Sequence, residues 1–172
     1  MIKTHQEKLL PKRNPLSKSK NPRVIKHAGT NPPPYMPIEF ENIIIKAKKG
    51  FDIKLAIQKE QSPSDMKDQF ARLSIPKGQM SADFLSQEEQ PILQQKEEDG
   101  VHYKGMEVLL IQPSLEECTI SLKKWKNGSS TCYMLSSPWN KVATNNDLKV
   151  GDIIQIWTLR VNHGPRLALI KL

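Results

Sequence analysis

Lysine side chains cluster at the tip of a hairpin that the stretch LKKWKNGSSTCYML predicts at residues 122–135. Two short alternating runs flank the sequence Asn-Gly-Ser-Ser, and Asn-Gly favours a tight reversal between antiparallel strands. Three lysines and a tryptophan share this tip, at Lys123, Lys124, Trp125 and Lys126. Ammonium groups bind phosphate oxygens mainly through charge, so the tip indicates a polyanionic partner.

The net charge of +8 is unevenly spread along the 172 residues. Residues 1–50 contain 11 lysines and arginines against 3 acids, residues 51–118 contain 7 against 13, and residues 119–172 contain 8 against 2. Two basic regions therefore flank an acidic one, which again favours a polyanionic partner. Solvated lysines that have no partner are the alternative interpretation.

Several classes of chemistry find no support in the residue pattern. Two cysteines, Cys118 and Cys132, and four scattered histidines give neither a zinc spacing nor a disulfide framework. No Ser-His-Asp set or glycine-rich phosphate loop is present, and no apolar run reaches membrane length. The N-terminal residues contain no secretory segment. We therefore expect an intracellular protein that is not an enzyme and that binds no metal, cofactor or membrane.

Residues 1–50 are predicted to form a disordered basic tail. Prolines, lysines and asparagines dominate residues 1–37, so this segment cannot bury enough apolar surface to offset the entropy of the chain. Basic clusters at residues 12–13 and 23–26 suit a nuclear import signal. Residues 38–50 contain three consecutive isoleucines followed by lysines, and both strand and short helix remain open there.

The remainder of the chain predicts a mainly β domain. Six or seven short runs with alternating or continuous apolar residues favour strands that close fully or partly into a barrel. They lie at residues 54–60, 72–76, 106–113, 117–126, 131–135, 153–159 and 166–172. We assign Trp139 and Trp157 to the core, with Ile154 and Ile156 packed around Trp157.

Two short helices and a long loop are predicted between these strands. The first helix covers residues 80–85, with Ser81 as its N-cap. The second has Ser137 as its cap and Pro138 in its first turn, and it ends at residues 145–146. Residues 86–104 are acidic and polar, so we expect a loop there that lies away from any anionic partner.

The order of motifs from residue 133 onward resembles the plant B3 DNA-binding domain. That family has a Tyr-x-Leu strand, a tryptophan before a short helix, and Leu-x-x-Gly-Asp before an apolar strand. The matching residues are Tyr133, Leu135, Trp139, Asn140, Leu148, Gly151 and Asp152. Upstream, Ser64–Asp65, Arg72 and the Ile-Pro-Lys sequence at residues 75–77 resemble the first hairpin of the family. The resemblance covers residues 52–172.

The resemblance implies a mainly β fold, a seven-stranded open pseudobarrel with two short helices. We therefore divide the chain into the tail at residues 1–50 and a B3-like domain at residues 51–172. In B3 domains two loop-bearing arms grip the major groove of duplex DNA, and here the arms correspond to residues 61–72 and 124–131. The implied function is that of a nuclear transcription regulator that binds double-stranded DNA.

Three kinds of side chain in or beside the arms suit contacts with DNA. Ammonium groups for phosphate contacts are those of Lys67, Lys77, Lys124 and Lys126. Paired donors and acceptors that can discriminate base edges are those of Gln69, Arg72 and Asn127. Small hydroxyl residues that allow close approach and donate to phosphate are Ser62, Ser64, Ser129, Ser130 and Thr131. Trp125 can stack on a sugar or a base.

Structural roles remain open for three of these residues. Arg72 can be a salt-bridge partner instead of a base reader. Asn127, followed by Gly128, provides good turn chemistry and can serve both the turn and the base edge. Trp125 can pack over its own hairpin, which is the commoner role of such a tryptophan.

Two other functions also remain open. The fold can act as a protein-interaction module without sequence-specific DNA binding. A metal-dependent nuclease built on Glu41, Asp52 and Lys54 is the other alternative, although a second confirming acid is missing.

Deletion of residues 1–37 should leave the melting temperature nearly unchanged, because their composition predicts no packed core. Thermal unfolding of the full chain and of the truncated chain, followed by circular dichroism, checks this. A large fall in melting temperature would mean that the tail packs on the folded domain.

Overall fold

The computed structural model describes residues 35–172, apart from the side chain of Asn127. The disorder and the import signal predicted within residues 1–34 lie outside the described residues. The strands are β1 (Phe51–Glu60), β2 (Leu73–Pro76), β3 (Met106–Ile111), β4 (Glu117–Asn127), β5 (Ser130–Leu135), β6 (Ile153–Val161) and β7 (Gly164–Lys171). The helices are α1 (Ile38–Glu41), which continues as a π-helix (Asn42–Ala47), α2 (Trp139–Asn145), and two 3₁₀ segments (Lys77–Gln79 and Gln90–Gln94).

The seven strands of residues 35–172 form one sheet in the order β1-β6-β7-β3-β4-β5-β2. Neighbouring strands are antiparallel except β3 and β7, which run parallel. The edge strands β1 and β2 approach each other where Lys59 Nζ donates to the carbonyl oxygen of Ser74 at 2.7 Å. The sheet therefore curls into an open barrel, which confirms the predicted mainly β pseudobarrel with two short helices.

The inner face of the curled sheet holds a core to which all of these strands contribute. Trp139 and Val142 of α2 pack into it, and Trp139 is only 1% exposed, as predicted. The strand residues in this core alternate with outward-facing residues, except at Ala56 and Ile57, which are adjacent where the pairing of β1 with β6 is irregular. They are Ala56, Ile57, Leu73, Ile75, Val108, Leu110, Ile120, Leu122, Tyr133, Leu135, Ile154, Ile156, Leu167 and Leu169.

Trp157 is buried, as predicted, but it faces the opposite side of the sheet from Ile154 and Ile156. Successive strand residues point to opposite faces, so the two isoleucines enter the inner core while Trp157 enters an outer cluster. That cluster consists of Phe40, Ile44, Ile111, Trp157, Leu159, Ala168 and Ile170. The predicted packing of the two isoleucines around the tryptophan was therefore wrong, because β6 is buried on both faces.

Residues 38–47 are helical and cover the outer cluster, so the tail boundary predicted at residue 50 was placed too late. Phe40 and Ile44 lie four residues apart on one helix face, and both are buried. Gly50 lets the chain turn closely beneath the helix, because a Cβ atom there would lie 2.6 Å from Ile44 Cγ2. The run of three isoleucines concealed this helical spacing.

The helix predicted at residues 80–85 is absent from the structure, where a 3₁₀ segment (Lys77–Gln79) comes before it. Ser81 does not cap a helix. Its backbone N–H donates to the carbonyl of Ala56 at 2.8 Å, and its hydroxyl donates to the carbonyl of Leu55. This short polar segment therefore attaches to the edge strand β1.

The second helix occurs where it was predicted, with a different start. Its N-cap is Pro138, not Ser137, and no side chain caps it, whereas its C-cap is Asn146 as expected.

The acidic segment at residues 86–104 is a loop with one 3₁₀ segment (Gln90–Gln94). Among the helices of residues 35–172, none is long and apolar enough to cross a bilayer.

Ile44→Ala should lower the free energy of unfolding by about 2–5 kcal/mol, the usual effect of truncating a fully buried isoleucine. The adjacent Ile45 is 45% exposed, so Ile45→Ala should change the free energy by less than about 0.5 kcal/mol. Urea denaturation of both variants measures the difference. Equal effects would mean that residues 38–47 do not pack on the sheet.

Candidate nucleic-acid interface

A buried carboxylate anchors the first arm, residues 61–72. The Asp65 side chain is fully buried, and Lys59 Nζ of β1 donates to its Oδ2 atom at 2.7 Å. The backbone N–H groups of Ser62 and Ser74 donate to its two oxygens at 3.0 and 3.1 Å. One carboxylate thus connects β1, the arm and β2. Asp65 matches the family pattern in sequence, but this anchor was not predicted.

The surroundings of Asp65 keep it ionised. Burial would raise the pKa of its carboxyl, but the Lys59 ammonium and the hydrogen bonds from Ser62 and Ser74 outweigh burial and hold the pKa below its ordinary value. Because the carboxylate is charged and fully paired, the base of the arm has one preferred arrangement.

Helix α2 holds the same arm from the other side. The indole Nε1–H of Trp139 donates to the backbone carbonyl of Asp65 at 2.8 Å, and Asn140 Nδ2 donates to that of Asp68 at 3.0 Å. Trp139 was predicted from the sequence to have a role in the core alone. Its polar indole group needs a partner when it is buried, and this requirement is the signal that could have revealed the contact.

The hydroxyl residues of the first arm also bond within the arm. The Ser62 and Ser64 hydroxyl oxygens lie 3.0 Å apart, and the Asp65 N–H donates to the Ser62 hydroxyl at 3.2 Å. Both serines are half-buried. They shape the turn at the start of the arm, and their predicted contacts with phosphate stay a prediction.

The outer part of the first arm presents Lys67, Gln69 and Phe70 to solvent. Arg72 is different because its side chain is only 25% exposed. It donates to the Ser64 carbonyl at 3.3 Å and lies 3.8 Å from Asp65 Oδ1. The alternative structural role of Arg72 therefore describes its position better than a role as a base reader.

The second arm is the hairpin of β4 and β5, whose strands pair through Asn127 and Ser130. Gly128 adopts a positive φ of 62° in the turn, a conformation that glycine takes without strain. Trp125 is 56% exposed, so packing over its own hairpin accounts for less than half of its surface. Lys126, Ser129 and Ser130 are exposed, and Thr131 is half-buried. The side chain of Asn127 lies outside the described part.

Lys77 and Lys124 meet on the inner side of this hairpin. Register places Lys124 opposite Tyr133, and Lys77 Nζ lies 5.6 Å from the centre of the Tyr133 ring. Partial burial, followed by the nearby Lys77 ammonium, lowers the pKa of Lys124. Both lysines therefore lie near Tyr133, where an anion would be attracted by both charges.

Polar neighbours partly occupy these two lysines. Lys77 Nζ lies 3.2 Å from Asp83 Oδ2, and Lys124 Nζ donates to Gln90 Oε1 at 3.0 Å. Burial and hydrogen bonding to Asp83 raise the pKa of Tyr133, whose hydroxyl donates to that carboxylate. Gln90 belongs to the acidic loop, so the start of this loop lies beside the basic hairpin. The position of the loop relative to an anionic partner stays a prediction.

The two arms flank the β2-β5-β4 part of the sheet. Strand β2 begins at Leu73, directly after the first arm, and Leu73 pairs with Leu135 of β5. The hairpin turn lies at the other end of β5. Six residues of extended chain separate the two points, which corresponds to roughly 20 Å. The fold therefore separates the two arms by a short stretch of sheet.

The nuclease alternative gains no geometric support. Lys54 Nζ pairs with Asp52 Oδ1 at 3.1 Å, while Glu41 lies in α1. Within residues 35–172, no group of three or more His, Cys, Asp or Glu side chains is arranged to hold a metal ion.

A known family matches nearly the same residues as this fold. The family model described as "B3 domain-containing protein At2g31720-like" matches residues 37–170. The match reaches from the start of α1 into β7 and so includes both arms. The chain belongs to this B3 domain family. The matched range also agrees with the helix at residues 38–47 as part of the B3 domain.

Curated relatives support the same assignment. The chain is 30% identical over 125 residues to B3 domain-containing protein At2g31420 of Arabidopsis thaliana, which covers 70% of this chain and 58% of that protein. It is 30% identical over 131 residues to B3 domain-containing protein At2g31720 of the same plant, covering 75% of this chain and 41% of the relative. The matched segment thus spans about half of each relative.

Two solved structures also align with the chain. The Arabidopsis FUS3–DNA complex aligns with a TM-score of 0.47 and 19% identity, over 69% of this chain and 96% of that one. The Arabidopsis thaliana transcription factor LEC2–DNA complex aligns with a TM-score of 0.46 and 18% identity, over 70% of this chain and 94% of that one.

Asp65→Asn should lower the free energy of unfolding by about 3–5 kcal/mol, because it leaves Lys59 without its buried counter-charge. Asp68 lies on the same arm with its side chain exposed, so Asp68→Asn should change the free energy by less than about 0.5 kcal/mol. Chemical denaturation at neutral pH measures both. A small effect at Asp65 would contradict its role as the anchor.

The contribution of Asp65 to stability should also depend on pH. Its folded-state pKa lies below that of the unfolded chain, so the contribution is complete above the unfolded-state pKa, about 3.9 for aspartate. It decreases as the pH falls through the folded-state pKa. Wild type should therefore lose more stability than Asp65→Asn below about pH 4. Parallel acid-induced losses in the two proteins would contradict this.

Proposed function

We propose that this B3 domain binds double-stranded DNA in the major groove through its two arms and acts as a nuclear transcription regulator. The role is one of binding, without catalysis. One observation carries the proposal. Two loops that carry exposed cations and donors are attached to a common rigid frame, at the positions that the B3 resemblance gives to the DNA-binding arms.

The first arm supports this function through its preformed base. Asp65 and Trp139 hold the loop before any partner binds, so little entropy needs to be lost when the arm enters a groove. Lys67 and Gln69 remain exposed beyond this base. A cation can contact phosphate there, and an amide can reach a base edge.

The second arm supports the function through charge. Lys77, Lys124 and Lys126 surround the inner side of the hairpin, and the first two lie beside Tyr133. A phosphate group near them would replace an unfavourable cation–cation contact by a favourable pair. Binding would also release counterions from the DNA.

The competing source of affinity is the N-terminal segment. Residues 1–34 contain eight lysines and arginines and one acid, and such a segment can bind DNA by charge alone. A protein-interaction module on the same fold is the second candidate function. Asp83 and Gln90, which already engage Lys77 and Lys124, favour it. Any test must therefore separate the arms from the tail.

Lys124→Ala and Lys126→Ala should each weaken binding to all duplexes alike. Each should lower the slope of log Kd against log salt by roughly one unit, because one phosphate contact is lost. Fluorescence titration of the full chain at several salt concentrations measures the slope. The combination Lys46→Ala with Lys54→Ala is the matched control, because it removes the same charge from α1's π-helical continuation and from β1.

The hairpin pair, Lys124→Ala combined with Lys126→Ala, is compared with this control, and both double variants retain the basic residues 1–34, here called the tail. If the tail provides the affinity, both pairs of substitutions will change the slope equally and only slightly. If the arms provide it, the hairpin pair alone will change the slope. Full retention of duplex binding by the hairpin pair would refute the proposal in favour of the tail. If the wild-type chain binds no duplex even at low salt, DNA binding is refuted and the protein-interaction function is the candidate that remains.

Asn127→Ala should behave differently from the lysine variants. An amide at a base edge discriminates between sequences, so the cost should be about 1–3 kcal/mol on the preferred duplex and less on others. The preferred duplex comes from selection of random DNA with the full chain. The variant must first show wild-type unfolding, since Asn127 also serves the turn. An equal loss on every sequence would contradict base recognition.

A further inference from the structure

Phe70 is 47% exposed on the outer part of the first arm, and no role was predicted for it from the sequence. A single exposed aromatic residue is ordinary in itself. This ring, however, has neighbours that fix its position. Its backbone N–H donates to the Lys67 carbonyl at 3.0 Å, and the Lys67 and Arg72 cations lie 5.6 and 5.2 Å from the ring centre.

The loop that carries Phe70 is held on both sides. Asn140 of α2 donates to the carbonyl of Asp68, two residues before the ring. After the ring, Arg72 donates back to the Ser64 carbonyl. The ring is therefore presented in a fixed place in the free protein, and binding would not need to order it.

We propose that Phe70 contacts the C5-methyl group of a pyrimidine in the major groove, and that the domain therefore senses this methyl group. The proposal rests on the proposed function, because it requires the first arm to enter the groove. Thymine and 5-methylcytosine share the C5-methyl group. Base edges in the major groove otherwise present hydrogen-bond donors and acceptors, and phenylalanine can satisfy none of them.

The cations beside the ring favour this contact over stacking on a base. Lys67 and Arg72 lie over the ring, so they obstruct the approach of a flat base to the surface that they cover. The exposed part of the ring remains accessible to a small apolar group. Lys67 is itself exposed and can contact a phosphate while the ring faces the base edge.

The test uses the full chain and the duplex recovered by selection from random DNA. Each thymine is replaced singly by deoxyuridine, which removes only the methyl group, and each cytosine is replaced singly by 5-methylcytosine, which adds one. At one position, the methylated base should bind wild type about fourfold more tightly, as burial of one methyl-sized group predicts. Phe70→Ala should bind the methylated and unmethylated duplexes equally.

Phe51→Ala provides a matched control. Phe51 is also 47% exposed, but it begins β1, whereas the first arm follows the end of that strand. The control should keep the fourfold discrimination, and Phe70→Leu should keep part of it because leucine is still apolar. Wild-type unfolding of all three variants excludes misfolding as the cause.

Each result decides a different claim. If selection recovers no duplex and wild type binds none, the proposed function fails and the methyl contact fails with it. If wild type binds its duplex but no single methyl group changes Kd, the methyl contact is wrong and the proposed function stands. If Phe70→Ala still discriminates between methylated and unmethylated duplexes, the proposed contact between Phe70 and the methyl group is also wrong. Weaker binding after replacement of a thymine, or tighter binding after methylation of a cytosine, identifies which base carries the contacted methyl group.

Discussion

The buried pair of Asp65 and Lys59 is the interaction on which the candidate interface depends. Burying a carboxylate and an ammonium group costs free energy unless their hydrogen bonds are satisfied. Here the carboxylate accepts from Lys59 and from two backbone N–H groups, while Lys59 also donates to Ser74. The pair therefore bridges the two edge strands and also fixes the start of the first arm.

A second constraint comes from sheet strands that are buried on both faces. Inward residues of β6 and β7 belong to the inner core, whereas Trp157 and Ile170 belong to the cluster beneath α1. The helix at residues 38–47 is consequently part of the frame. Because the frame is packed on both sides, the loops that leave it start from fixed positions. This is the physical basis for arms that need little rearrangement on binding.

The parts of the fold that could be predicted from the sequence are those that depend on local patterns. Alternating apolar residues gave the strands, and Asn127–Gly128 gave the hairpin turn. Burial of Phe40 and Ile44 could not be predicted, because it depends on an apolar outer face that a single strand pattern does not reveal. The isoleucine run there favoured a strand locally, and tertiary packing outweighed this preference.

In the candidate site too, the features that depend on short segments could be predicted, whereas those that depend on tertiary contacts could not. Residue chemistry located the lysines and the hairpin, since charge and turn preference are properties of short segments. The anchor at Asp65 joins residues from four elements, so no short window contains it. Asp65 matched the family pattern in sequence, and only its burial shows that its role is structural. Arg72 illustrates the same limit, because its type suits a base edge but its contacts turn it towards the arm.

A titration of isotopically labelled full-length chain with duplex DNA, followed by backbone amide chemical shifts, tests the central claim most directly. If a rigid frame presents both arms, the shifts that change should lie in residues 61–72 and 124–131. The amides of Ser62 and Ser74 should remain protected from exchange in free and bound protein. Changes confined to residues 1–34, with neither arm affected, would contradict the account.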